Sequence, residues 1–195
     1  MLDTHARKYV QPIIEKVAEM FIALNISANQ VTWLAFMIGI SSSICIYFEH
    51  PIIAILLLWL SGFLDAVDGS VARANNEQSS WGTLLDITFD RLVEVGMIMS
   101  LAIKYEEARL VLLMLTGAIV FSMTVFLTVG ALSEKKGQKS FYYQAGLAER
   151  TEGFILFSLM IIFASNWLLY ITGVFSIMIL FTGTQRLLEA RKIFR

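Results

Sequence analysis

Two stretches of this chain, DAVDGSVAR at residues 65–73 and GTLLDITFD at residues 82–90, set acidic side chains into sequence that is otherwise mostly hydrocarbon. Their acidic residues are Asp65, Asp68, Asp86 and Asp90. Acidic side chains inside membrane segments are costly, roughly 2.5–3.5 kcal/mol each on insertion scales, so they are rarely present without a partner or a function. The arrangement indicates a shared cation and chemistry at a membrane surface.

The composition around these stretches indicates a polytopic helical membrane protein. Hydrophobic residues make up 57% of the 195, and the mean hydropathy is +0.69, which is more apolar surface than one soluble core of this size could hide. The length suits a single domain over residues 1–195. The single cysteine, Cys45, excludes an intrachain disulfide and makes no zinc site by itself. The net charge of −1 indicates no particular partner, and we expect no nucleic-acid binding.

Residues from about 5 to 24 predict an amphipathic helix that lies in the membrane interface. Apolar residues fall at helical spacing along this segment, and charged residues supply the other face. Pro12 is expected near the start of the helix, or could kink it. The alternative is a solvated helix that packs on its own protein.

Six spanning segments follow, so the predicted fold is all-α with six transmembrane helices. We place them at about 30–48, 52–70, 82–103, 108–132, 150–165 and 168–188. With the N-terminus inside, only Lys104 and Arg109 among the 15 basic residues fall outside, the asymmetry typical of the positive-inside rule. The prediction is a multi-pass protein of a bacterial-type cell membrane, with both termini and the acidic cluster on the cytoplasmic side.

Helical spacing brings the four carboxylates together. Asp65 and Asp68 are three residues apart and Asp86 and Asp90 are four apart, so each pair lies on one helix face. A tight connection at about 74–81 makes the two helices antiparallel neighbours, and the four carboxylates can then converge. Like charges in a low dielectric would take up protons or bind cations. Hard oxygen ligands suit Mg²⁺, Mn²⁺ or Ca²⁺, and two-metal sites commonly process phosphoryl groups.

The residues beside the aspartates suit an anionic ligand. Gly69 permits close approach to the backbone, and Ala72 is also small. Arg73 offers a planar fork for a phosphate. Gly82 begins a helix whose N-terminal end favours an anion. Together these residues describe a divalent-cation site with an anionic, diphosphate-like ligand.

The pattern Asp-x2-Asp-Gly-x2-Ala-Arg-x8-Gly-x3-Asp-x3-Asp from Asp65 to Asp90 resembles the signature of the class I CDP-alcohol phosphotransferases (phosphatidyltransferases), with all eight fixed positions present. The six-helix count and the N-terminal helix extend the resemblance along nearly the whole chain. It implies transfer of a substituted phosphate from a CDP-alcohol to a hydroxyl with release of CMP. It also implies two divalent cations, Mg²⁺ or Mn²⁺, and a homodimer.

Carried over by position, the resemblance implies a role for each aspartate. All four would touch metal, and Asp90 would also take the proton of the acceptor hydroxyl, since a neighbouring dication keeps a carboxylate ionised at neutral pH. Gly69 and Arg73 would contact the nucleotide diphosphate. The same set would include Ala72, Gly82, Asn29 and Thr32.

Asn29 and Thr32 belong to a second family feature. Many members read Pro-Asn-x-x-Thr before the first span, where this chain reads Ala-Asn-Gln-Val-Thr at residues 28–32. These two side chains either face the nucleotide or form a helix cap and a buried hydroxyl. Both interpretations remain open.

The inner loop at 133–152 is expected to select the acceptor alcohol. Lys139 could attract an anionic acceptor or simply follow the positive-inside rule. Arg150 opens a span and is expected to face the site, and Arg186 could reach the same cavity. Phosphoinositol-transferring members carry Glu-Arg-x-Glu/Asp-Arg here, but this chain has Gly153 in place of the second arginine. Glycerol phosphate or another small polyol therefore stays open as the acceptor.

The predicted function is an integral-membrane phosphatidyltransferase of phospholipid biosynthesis. It would move a phosphatidyl group from CDP-diacylglycerol, in contact with membrane lipid, to a glycerol phosphate- or inositol phosphate-like alcohol. A cation or proton transporter with an aspartate relay is the alternative, but it gives no role to Gly69, Arg73 and Gly82. A scaffold protein with a dead site is a third hypothesis, against which the intact aspartates argue.

Overall fold

The described part of the chain is helical throughout, as predicted. The computed structural model describes residues 2–132 and 150–194, with side chains described from residue 10 onward except at 193. The helices are α1 (Leu2–Ala23), α2 (Ala28–Tyr47), α3 (Pro51–Ala74), α4 (Ser80–Lys104), α5 (Arg109–Leu132, preceded by a 3₁₀ turn at Glu106–Ala108), α6 (Arg150–Ile162) and α7 (Ala164–Ile193).

Four of these helices are long and apolar enough to cross a membrane. They are α2, α3, α5 with its preceding turn, and α7. The other two predicted spans, 82–103 and 150–165, also form helices, α4 and α6. However, α4 carries charged residues through its first half, and α6 has only 13 residues.

The helices form two compact units, one from Thr4 to Glu106 with α1–α4 and one built mainly from α5–α7. In the first unit, α2 packs against both α3 and α4. Three serine hydroxyls donate across these interfaces at 2.8 Å: Ser42 to the carbonyl of Ala54, Ser61 to that of Ala35, and Ser100 to that of Ser43. Interhelical hydrogen bonds of this kind contribute about 0.6 kcal/mol each in membrane proteins.

Two glycines allow the backbones in this unit to approach closely. A Cβ at Gly39 of α2 would lie 2.6 Å from Cγ2 of Val93 in α4 and 2.8 Å from Oγ of Ser61 in α3. A Cβ at Gly96 of α4 would lie 2.8 Å from Oγ of Ser43. Small residues at helix crossings are the usual basis of tight packing in membranes. They fix the position of α4, and with it the second half of the acidic motif.

The N-terminal helix forms where it was predicted, and one side of it packs on its own unit. Ile14 and Ala18 are buried against the residues of α2 and α3 that surround Val31 and Val67. Ile13 and Met20 are exposed elsewhere on the helix. This packing agrees with the alternative interpretation, and a location in the membrane interface stays a prediction. Pro12 lies well inside α1 rather than near its start, because the helix begins at Leu2.

Three helices of this unit end in a left-handed residue that is not glycine. Asn25, Glu49 and Asn76 have φ values of 57°, 62° and 56°. In each case the next amide reaches back five residues, as in a Schellman motif. These bonds run from Ile26 to Phe21, from His50 to Cys45 and from Glu77 to Ala72. The turn at Asn76 starts the five-residue connection between the two motif helices, α3 and α4.

The Glu49 turn is tied to the end of α4. The Lys104 ammonium donates a hydrogen bond to the Glu49 carboxylate. This bond, together with the positive charge of Lys104, holds the pKa of the Glu49 carboxyl below its usual range. The pair links the end of α2 to the end of α4, at the opposite end of these helices from Asp86.

In the second unit, α7 packs against both α5 and α6. A Cβ at Gly183 of α7 would lie 2.8 Å from Cε1 of Phe121 in α5. Phe157 of α6 and Phe175 of α7 are fully buried and meet edge to face, with ring centroids 5.3 Å apart. Aromatic pairs of this geometry contribute roughly 0.5–1.5 kcal/mol beyond the area they bury.

Substitution of Gly39 by alanine tests the close approach of α2 and α4. Because Val93 is β-branched and buried, it cannot move aside easily, and we expect Gly39→Ala to lower the free energy of unfolding in detergent by about 1–3 kcal/mol. Gly117→Ala is the matched control, since no atom lies within 4 Å of a Cβ there. That variant should be neutral or more stable by up to about 1 kcal/mol. Equal effects of the two changes would contradict the packing argument.

Candidate active site

Three of the four predicted aspartates come together in the α1–α4 unit. One carboxylate oxygen each from Asp65 of α3 and from Asp86 and Asp90 of α4 lie within 4.8 Å of one another. Asp65 is only 9% exposed, and the two α4 residues are half-buried. The convergence predicted from helical spacing therefore occurs for these three.

Local structure places each of the three carboxylates. Ser79 caps α4, since its Oγ accepts a hydrogen bond from the Gly82 amide at 3.0 Å. This cap fixes where α4 begins. Asp86 and Asp90 share one face of that helix because they are four residues apart. The short connection from the Asn76 turn returns the chain so that this face meets Asp65.

Asp68 is not part of this group of three, although it lies one turn from Asp65. Its carboxylate accepts a hydrogen bond from Oγ1 of Thr32 at 2.6 Å, and both residues are buried. The same hydroxyl lies 3.0 Å from the carbonyl of Ala28. Thr32 thus has the buried hydroxyl that one interpretation predicted, and the bond to Asp68 is a contact that sequence reasoning missed.

Asn29 does not cap α2, which contradicts the second of its two interpretations. Ser27 caps α2 instead, in a capping box with Gln30. Asn29 lies toward the start of α4, where its Oδ1 would be 3.3 Å from a Cβ on Gly82. Asn29 and Gly82 therefore share one corner of the site, beside the amide groups of the first turn of α4.

Arg73 lies over the backbone of its own helix. Its Nη2 donates a hydrogen bond to Oγ of Ser70 at 2.8 Å. Its Nη1 would be 3.3 Å from a Cβ on Gly69. Gly69 therefore leaves the space that the guanidinium fills. Ala72 instead packs against the apolar cluster of α1–α3, where a larger side chain would need more room.

The three grouped carboxylates suit a hard divalent cation. Ions with oxygen ligands at about 2.0–2.6 Å bring those oxygens to within roughly 3–5 Å of each other, which fits the observed spacing. Three negative charges this close in a partly buried site repel one another unless a cation or protons compensate. The donor set consists of carboxylates, which selects Mg²⁺, Mn²⁺ or Ca²⁺ over softer metals.

The predicted acceptor residues belong to the α5–α7 unit, where the structure describes two of them. Arg150 is the first residue of α6, with its guanidinium carbon 5.8 Å from the ring centre of Phe154. Arg186 of α7 is buried, with its guanidinium carbon 5.1 Å from the ring centre of Phe126. Lys139 and most of the loop at 133–152 lie outside the described residues.

A family model described as CDP-alcohol phosphatidyltransferase matches residues 25–182. The chain belongs to the CDP-alcohol phosphatidyltransferase family. The match includes both motif helices, the Thr32 position and Arg150, and it ends four residues before Arg186. The resemblance predicted from the eight signature positions is confirmed, and the protein is an enzyme of this class.

Known proteins are similar to this chain over most of its length. It is 30% identical to an archaetidylinositol phosphate synthase of Pyrococcus horikoshii over 98% of this chain and 97% of that protein. It is also 30% identical to a phosphatidylinositol phosphate synthase of Corynebacterium glutamicum, over 80% of this chain and 72% of that protein. The family and its homologues support an integral membrane enzyme of phospholipid biosynthesis.

Crystal structures with the same fold come from the phosphatidylinositol phosphate synthase PgsA1 of Mycobacterium tuberculosis. The form with CDP-DAG bound has a TM-score of 0.71 at 19% identity and covers 92% of this chain and 94% of that one. The form in complex with manganese and citrate has a TM-score of 0.74 at 16% identity and covers 91% and 88%. The transferase fold therefore extends along nearly the whole chain.

Removal of one carboxylate tests the metal group directly. We expect Asp86→Asn to weaken Mn²⁺ binding by tenfold or more, because a neutral amide replaces a charged ligand. Isothermal titration of the purified protein with Mn²⁺ measures this without any turnover. Glu107→Gln, which neutralises an exposed carboxylate in the other unit, should leave the affinity unchanged. Equal Mn²⁺ affinity in Asp86→Asn and the unaltered protein would exclude this residue as a ligand.

Proposed function

We propose that this enzyme transfers a phosphatidyl group from CDP-diacylglycerol to the hydroxyl of a small phosphorylated polyol, with release of CMP. The observation that carries the proposal is the group of Asp65, Asp86 and Asp90. Arg73 is held on α3, the motif helix that also carries Asp65. Together these residues combine metal ligands, a candidate base and a cation for the diphosphate.

In the proposed mechanism, the grouped carboxylates and Asp68 hold two divalent cations, Mg²⁺ or Mn²⁺. When bound, these ions would neutralise charge on the diphosphate and on the departing CMP. Arg73 and the first turn of α4, with Gly69, Gly82 and Asn29 around them, bind the diphosphate. The cytidylyl end thereby stays fixed while the lipid-bearing phosphorus faces the acceptor.

Asp90 acts as the base in this proposal. The acceptor oxygen attacks the phosphorus that bears the lipid, and its proton passes to a carboxylate oxygen of Asp90 as the new P–O bond forms. The bond from that phosphorus to the oxygen bridging to CMP breaks, and CMP leaves with the bonding electrons. Positioning and electrostatics supply most of the rate in phosphoryl transfer of this kind.

The proposed membrane arrangement has six spans, in which α4 and α6 complete the four apolar helices. Basic residues concentrate on one side of this topology, which supports a cytoplasmic location for both termini and the acidic group. There a water-soluble acceptor can meet a lipid-bound nucleotide. The N-terminal helix would lie along the same interface, and the enzyme would act as a homodimer.

For the acceptor, we propose a polyol that carries a phosphate. Arg150 and Arg186 are cations of the α5–α7 unit, and with Lys139 they would bind the acceptor phosphate. The names of both relatives given above include inositol phosphate. Inositol 1-phosphate is therefore the first candidate. Glycerol 3-phosphate is the second, because Gly153 stands where the phosphoinositol pattern has an arginine.

An acceptor panel tests the proposal. Purified enzyme is incubated with CDP-diacylglycerol, Mg²⁺ and each of inositol 1-phosphate, glycerol 3-phosphate, inositol, serine and phosphatidylglycerol, and the lipid product is identified by mass. The proposal requires a product from a phosphorylated polyol and its loss in excess chelator. Turnover only with an unphosphorylated alcohol would overturn the acceptor assignment, and undiminished turnover in chelator would overturn the metal assignment.

Substitution of Asp90 by asparagine tests the base. We expect CMP release to fall by about 10²- to 10⁴-fold, the usual contribution of a general base. Helix content by circular dichroism and binding of CDP-diacylglycerol should be retained, because asparagine has nearly the same shape. Full activity in Asp90→Asn would contradict the assignment.

Substitution at Gly153 tests the acceptor subsite. A Cβ there would lie 3.9 Å from Cζ of Phe175, an ordinary contact, so a side chain can leave the backbone at this point. We expect Gly153→Arg to lower the KM for inositol 1-phosphate about tenfold, the effect of one hydrogen bond to a charged group. Gly153→Ala is the matched control and should leave this KM unchanged. An identical response of the two variants would show that position 153 lies away from the acceptor phosphate.

A further inference from the structure

Ser70 lies between the signature glycine and arginine at a position that the signature leaves variable. Its side chain is buried, with 7% of the residue exposed. Its Oγ accepts the 2.8 Å hydrogen bond from Nη2 of Arg73 and lies 3.4 Å from the carbonyl oxygen of Ala66. We infer that Ser70 is a positioning residue that holds the Arg73 guanidinium in place for the diphosphate. This inference rests on the proposed function.

The two contacts of the Ser70 hydroxyl are compatible with each other. A hydroxyl has one proton to donate and lone pairs to accept with. With the proton directed at the Ala66 carbonyl, a lone pair faces the guanidinium. The acceptor is thus oriented by the backbone of α3, and the bond it receives is strengthened by the charge of Arg73.

Gly69 leaves room for this guanidinium beside Ser70. A Cβ at Gly69 would lie 3.3 Å from Nη1 of Arg73, closer than most real Cβ contacts. Side chains of a helix lean toward its N-terminus, so Arg73 covers the turn that precedes it. That direction leads along α3 toward Asp68 and Asp65. The guanidinium is therefore held against α3 between Ser70 and Gly69.

A fixed guanidinium has a clear advantage for binding. Arg73 is an exposed residue at the end of α3, and a long side chain in that setting loses rotamer freedom when it binds a ligand. The hydrogen bond to Ser70 restricts the rotamers of Arg73 before the ligand binds, so less freedom remains to be lost. It occupies one of the five N–H donors of the guanidinium, which leaves the fork able to bind a phosphate.

The experiment compares the kinetics of Ser70→Ala, Ser70→Thr and Ser41→Ala with CDP-diacylglycerol as the varied substrate. We expect Ser70→Ala to raise the KM for the donor on the order of 3- to 10-fold, which corresponds to the cost of ordering one long side chain. The kcat and the KM for the acceptor should stay within about twofold. Ser70→Thr keeps the hydroxyl and should restore the donor KM. Ser41→Ala removes an exposed hydroxyl that donates to the Met37 carbonyl, and it should change nothing.

A double-mutant cycle with Arg73→Lys separates positioning from general destabilisation. A lysine cannot present the same fork, so adding Ser70→Ala to Arg73→Lys should raise the donor KM no further. An unchanged donor KM in Ser70→Ala, or equal effects of Ser70→Ala with and without Arg73→Lys, would overturn the inference while turnover by the unaltered enzyme upholds the proposed function. Failure of the unaltered enzyme to use any CDP-lipid would overturn both.

Discussion

The helices of the α1–α4 unit must be held together against the mutual repulsion of the carboxylates that they carry. Asp65, Asp86 and Asp90 present oxygens within 4.8 Å of one another, and nothing in the charges of the three favours that approach. The helices must therefore be held by contacts elsewhere. The glycine contacts and serine hydrogen bonds of α2 supply them, because α2 packs against both helices that carry the carboxylates. The packing of α2 thus holds the two motif helices where their carboxylates converge.

Helix positions and much of the site follow from local sequence, whereas the partners of individual side chains do not. The predicted spans agree with the helices to within a few residues, because apolar runs and helix breakers act locally. The spacing of Asp86 and Asp90 placed both on one face for the same reason. Asp68 differs because its hydrogen-bond partner, Thr32, lies 36 residues away in the sequence. The spacing of residues within one helix cannot predict a hydrogen bond to another helix. The family pattern Asn-x-x-Thr at residues 29–32 was nevertheless a signal that Thr32 lies near the site.

The cap of α2 illustrates the same limit at short range. Asn29 and Ser27 are both good capping residues, and only one residue separates them in the sequence. The reciprocal bonds between Ser27 and Gln30 decide in favour of Ser27. Asn29 is thereby displaced into the first turn of α2, from which it faces the start of α4. A choice between two similar caps therefore determines which side chain is available to the site.

The serine bonds that join α2 to its neighbours have a consequence for how this protein can diverge in evolution. Each bond runs from a side chain to a main-chain carbonyl, and every residue type has such a carbonyl. The accepting positions can therefore drift among small apolar residues without loss of the bond. The requirement for a particular residue type instead falls on the three serine donors and on the glycines that bring the backbones within reach. Two distant homologues can thus share this helix arrangement while little of the sequence between those few positions remains alike.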